Sequence, residues 1–167
     1  MSEAGRLLQE IFNELSLKIA ALAHERRREG LLPIAKAKMQ LLGQMSLLAN
    51  DKVSMILSLT QTGDMDALLS MDEAVKSELK VILRRQGLVY DEDSYLIWIP
   101  PQAKFEKLFE GDYLLVESID PESALVSKAV KAPEKNKLLI RQAIASDEFP
   151  TLVDRILENG GRLEDFL

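Results

Sequence analysis

The amino-acid sequence predicts a mainly α-helical chain with a small antiparallel sheet, an α+β fold. Three observations carry that expectation. Apolar residues recur every three or four positions along most of the chain. Two runs, Leu88-Val89-Tyr90 and Tyr95-Leu96-Ile97-Trp98-Ile99, have strand composition instead and flank the turn former Asp91-Glu92-Asp93-Ser94. Apolar side chains make up 47 % of 167 residues, enough to bury a core.

Residues 2–29 read as one helix of about 40 Å. Ser2 suits its N-cap, and Leu8, Phe12, Leu15, Ile19 and Leu22 form a heptad seam. Gly30 suits the stop, with Arg26, Arg27 and Arg28 at the negative end of the helix dipole. Pro33 then opens an expected second helix, 33–49, with Ile34, Ala37, Leu41, Met45 and Leu48 on one face. The short link implies an antiparallel helical hairpin over 1–50.

Residues 51–62, 64–70 and 72–86 are expected to be helical, followed by a hairpin of strands over 88–99 that Pro100-Pro101 closes. Further on, 103–110 is read as a short helix and 113–119 as a strand. Asp120-Pro121-Glu122 is a helix start, yet 122–131 fits either period. Helices are expected at 136–146 and 149–159. The division is a hairpin over 1–50, a middle segment over 51–101, and a mixed C-terminal part over 102–167 packed on the middle one.

The order of the middle segment resembles a winged helix-turn-helix domain. The resemblance rests on Glu78-Leu79-Lys80-Val81-Ile82-Leu83-Arg84-Arg85-Gln86-Gly87-Leu88-Val89 and the aromatic-rich hairpin after it. It implies that 72–86 is a recognition helix and 88–99 a wing. Lys76, Lys80 and Arg84 would then form a DNA-facing stripe. Charge argues against that use: residues 51–100 carry five basic and nine acidic side chains, and Asp91-Glu92-Asp93 sits at the wing tip. Phosphate neutralisation drives DNA affinity, so a solvated helix face is the competing reading and nucleic acid is a disfavoured partner.

Charge and composition exclude much chemistry. The chain has no Cys and one His, His24, with a net charge of −6. That removes thiolate nucleophiles, Cys-ligated metals and multi-imidazole zinc sites. There is no phosphate loop, dinucleotide fingerprint or nucleophile elbow, and the tight acidic clusters lack calcium-loop spacing. No catalytic residue, cofactor or metal is assigned. No signal-peptide pattern or bilayer-length apolar run is found, so a cytoplasmic protein without membrane contact is expected.

The expected function is that of a non-catalytic regulatory or adaptor protein working through protein–protein contacts. Phe12, Leu15 and Ile19 are candidate contact residues, because the seam carries more apolar surface than one partner helix needs. The surplus packs either on the rest of the chain or on a second copy in a homodimer. Leu96 and Trp98 are the other candidates, since apolar residues occupy both faces of the expected wing strand. A winged-helix DNA-binding regulator is the alternative. A hydrolase with dispersed carboxylates is a third reading.

Overall fold

The computed structural model describes residues 1–167. Helix α1 (Glu3–Arg28) forms as its signals require. The Ser2 Oγ accepts from the Gly5 amide at 3.0 Å. At the other end Gly30, at φ +69°, lets the Leu31 amide reach the Arg26 carbonyl at 2.9 Å. The remaining elements are β1 (Ala37–Leu41), α2 (Gly43–Leu48), α3 (Asp51–Ile56), β2 (Asp64–Met65), β3 (Ala67–Ser70), α4 (Glu73–Arg85) and β4 (Val89–Tyr90). A 3-10 turn at Ser94–Leu96 follows, then β5 (Phe105–Glu110), β6 (Leu114–Ile119), α5 (Pro121–Lys131), α6 (Lys137–Ser146), α7 (Leu152–Glu158) and a 3-10 turn at Leu163–Phe166.

The fold is mainly helical α+β, and its main sheet is mixed, in the order β3-β1-β6-β5. Strand β1 pairs antiparallel with β3 and parallel with β6, while β5 and β6 form an antiparallel pair with a bulge between Lys107 and Phe109. A separate parallel pair joins β2 to β4.

The helical hairpin expected over 1–50 does not form. Ala37, Met39 and Leu41 are buried while Lys38 is exposed, so 37–41 follows a period of two. With partners on both sides, the sheet overrides the helical spacing that Ala37 and Leu41 share with Ile34, Met45 and Leu48. Residues 64–70 and 103–110 are likewise strands rather than helices. The expected wing is absent too. Tyr90 ends β4, and residues 95–99 carry no ladder. In their place a turn is fixed by Ser94, whose Oγ donates to the Asp91 carbonyl at 2.6 Å and accepts from the Ala67 amide at 3.1 Å. Residues 122–131, open between two periods, are helical.

Two apolar cores follow. In the first, α1 and α4 cover one face of the sheet, with Leu8, Phe12, Leu15 and Ile19 against Met39, Leu79, Ile82, Leu114 and Val116. Phe12 also meets Phe109 of β5 at 6.0 Å between ring centres. The surplus apolar surface of α1 is therefore covered by its own chain. Phe12, Leu15 and Ile19 are wholly buried, which removes them as partner contacts and removes the basis for a homodimer through this seam. Arg26 ties the end of α1 to Asp72, the N-cap of α4, at 3.0 Å.

The second core lies beyond the carboxyl ends of β1 and β6. There Leu42, Leu47, Val53, Ile119, Leu125, Ile140 and Ile156 gather α2, α3, α5, α6 and α7. Arg155 pins that cluster: it pairs with Glu122 at 3.1 Å and donates to Ser123 Oγ at 2.8 Å and the Pro101 carbonyl at 3.1 Å. No helix is long and apolar enough to cross a membrane.

Candidate functional site

A cavity of about 450 Å³ opens where these strand ends meet α5. Its position follows from topology. Strands β1 and β6 are parallel, so both carboxyl ends lie on one edge, and the register Leu41 to Ala67 brings the start of β3 there as well. Leu42 and Gly43 follow β1, Asp66 precedes β3, Ile119 ends β6, and Ala124, Ser127, Lys128 and Lys131 come from α5. In sheets with parallel strands, ligands bind beyond the carboxyl ends of those strands.

The basic side of the cavity is Lys128, Lys131 and Lys135. None has a carboxylate within 4.0 Å, although the chain forms ten ion pairs elsewhere. Lys128 is half-buried, and loss of water together with the nearby Lys135 holds its ammonium below the usual lysine range, against a smaller opposite pull from Asp66. Three cations without a carboxylate partner leave a local excess of positive charge at this cavity.

The other wall is apolar. Trp98, Ile97 and Leu96 line it, with Leu96 67 % exposed at the mouth. Ser127 Oγ donates to the Trp98 carbonyl at 2.7 Å and fixes this extended segment to α5. The Lys131 ammonium stands 5.2 Å from the centre of the Trp98 ring.

Asp66 is the single carboxylate of the lining. Burial, then the neighbouring Asp91 carboxyl and the charge of Asp64, push it up to about 6, and Lys128 pulls the other way. Its place depends on Gly43, at φ +58°, where a Cβ would stand 2.6 Å from Asp66 Oδ2. Behind this contact the Leu42 amide donates to the Asp66 carbonyl at 2.9 Å, and Ser46 Oγ donates to the Gly43 carbonyl at 2.6 Å.

Of the residues singled out from sequence, Leu96 and Trp98 belong to this site, though as cavity wall rather than wing. Lys76, Lys80 and Arg84 lie elsewhere on α4. Lys76 reaches Glu92 at 3.3 Å, Lys80 pairs with the same carboxylate, and Lys76 also sits 5.5 Å from the Tyr90 ring centre. Glu92 thus ties up two of the three cations, whereas Arg84 is exposed. Missed from sequence were Gly43, Asp66 and the three lysines. Lys128 and Lys131 fall at i and i+3 on α5, a pair visible only once 122–131 is known to be helical, and Lys135 follows in the turn after the helix.

No protein-family model matches the chain, and no curated protein or solved structure matches it either.

Proposed function

We propose that the chain is a non-catalytic regulatory protein whose input is a small phosphate-bearing ligand bound between α5 and the carboxyl ends of β1 and β6. The observation that carries this reading is the trio Lys128, Lys131 and Lys135, none with a carboxylate partner, in the lining of one half-open cavity. Ammonium groups without carboxylate partners are met by the charge-assisted hydrogen bonds of a phosphate. The apolar lining of Leu42, Ile97 and Trp98 suits the apolar or planar part of the same molecule. The output is a protein contact. Tyr95 and Leu96 are exposed beside the mouth, and Leu96 itself lines the cavity, so an occupant changes the surface these two residues present.

The DNA-binding alternative has less support: the hairpin that would be its wing is absent, and Lys76 and Lys80 are engaged by Glu92.

Trp98 is the only tryptophan, so its fluorescence reports on the cavity directly. Titration with ATP is expected to give a saturable change, weakened about tenfold in Lys128→Met, since one hydrogen bond between charged groups is worth about 1.5–3 kcal/mol. No change in the wild type, or equal affinity in the variant, would overturn the reading.

A further inference from the structure

We infer that Asp66 is the specificity-determining residue of this cavity, selecting phosphate-bearing ligands that also carry a hydroxyl or amino donor over bare polyanions. The inference rests on the phosphate-binding reading of the lysine wall and adds to it the identity of the ligand's other half.

A cavity shaped only for a polyanion has no use for a carboxylate. An ionised carboxylate repels phosphate and, among hydrogen-bonding groups, can only accept. Asp66 nevertheless shares the lining with three cations and makes no ion pair within 4.0 Å with any of them. Its placement is not incidental. Gly43 adopts a left-handed backbone and leaves the gap that a Cβ would close, 2.6 Å from Oδ2. The Leu42 amide on the Asp66 carbonyl holds the two segments together at 2.9 Å.

The groups around Asp66 set its charge. Asp91, carried by the turn that Ser94 anchors, and Asp64 of β2 favour its protonated form, and Lys128 of α5 favours the ionised one. Lys128, Lys131, Lys135 and Asp66 all line the same cavity, with no lysine–Asp66 pair within 4.0 Å. A ligand that meets both kinds of group has phosphate for the lysines and a hydroxyl or amine for Asp66, as in a nucleotide, a sugar phosphate or an amino-alcohol phosphate. Such a donor satisfies the acceptor that a bare polyanion would leave repelling it.

The test pairs two probes with the same triphosphate, ATP and inorganic tripolyphosphate, each titrated by calorimetry in EDTA against wild type, Asp66→Asn and Asp66→Ala. Circular dichroism establishes that each variant is folded. The second variant removes the acceptor altogether and serves also if the first fails to fold. The expected result is a crossing: ATP binding weakens about tenfold in Asp66→Ala while tripolyphosphate binding strengthens. Changes of the same sign for both probes, or no change, would overturn the role of Asp66 and leave the lysine site standing. Binding that requires added Mg²⁺ and loses that requirement in Asp66→Asn would also overturn it, by making the carboxylate a cation ligand. Failure of both probes to bind the wild type would remove the lysine site itself, and this inference with it.

Discussion

Gly43 and Asp66 meet face to face: the space where a Gly43 side chain would begin lies 2.6 Å from a carboxylate oxygen of Asp66. This contact brings the end of β1 and the start of β3 together at the cavity, and it depends on a residue with no Cβ. Gly43→Ala is accordingly expected to destabilise the fold by about 1–3 kcal/mol, from the left-handed backbone and the clash together. Chemical denaturation checks it. A neutral result would show that Asp66 turns aside freely and is not held in the site.

The pH dependence of stability follows from the same carboxylate. Its folded value of about 6 lies above the ordinary value of 3.8, so the folded chain holds this proton more tightly than the unfolded one. Asp66 thus adds no penalty below pH 4, where it is protonated in both states. A penalty grows between about pH 4 and 6 and is full above that window. Asp66→Asn should therefore melt above the wild type at pH 7 and level with it near pH 4. Melting curves at the two pH values read this directly, and a gain at pH 4 equal to that at pH 7 would contradict it.

The seam of α1 gives the sharpest test of the architecture. Leu15 is wholly buried within one chain. Leu15→Glu would bury an unpaired charge in the first core, which also holds Met39 and Leu79, and a loss of more than about 4 kcal/mol is expected. The variant should lose its cooperative unfolding transition. A folded variant with a smaller sedimentation coefficient than the wild type would instead mean that this seam joins two copies.

Elements whose signals are local are legible in the sequence. Ser2, the heptad seam and Gly30 define α1, and Asp120-Pro121 starts α5, because caps and stops act within one turn. The strands were hidden where sheet and helix patterns overlap. Ala37, Leu41 and Met45 fit a helical face as well as Ala37, Met39 and Leu41 fit a strand. What decides is β6, more than 70 residues downstream, which pairs with β1. Residues 95–99 show the converse. Their β-rich composition serves to line a cavity and cover α5, with no partner strand at all. The candidate site was the least legible part. Trp98 and Leu96 stood out as apolar residues without an assigned cover. Asp66 and Gly43, by contrast, acquire meaning only from the close approach of two strand ends, and Lys128 only from its burial.

The most direct test of the lysine cavity is the map of backbone amide shifts as ATP is added to the isotope-labelled protein. Saturable shifts are expected to centre on 127–136 and 96–98, and to extend to Leu42 and Gly43 across the cavity. The acidic turn at Glu92 and the seam of α1 should stay still. Shifts centred elsewhere, for example on Arg26, Arg27 and Arg28 at the end of α1, or no saturable shifts at all, would contradict the assignment of the cavity as the ligand site.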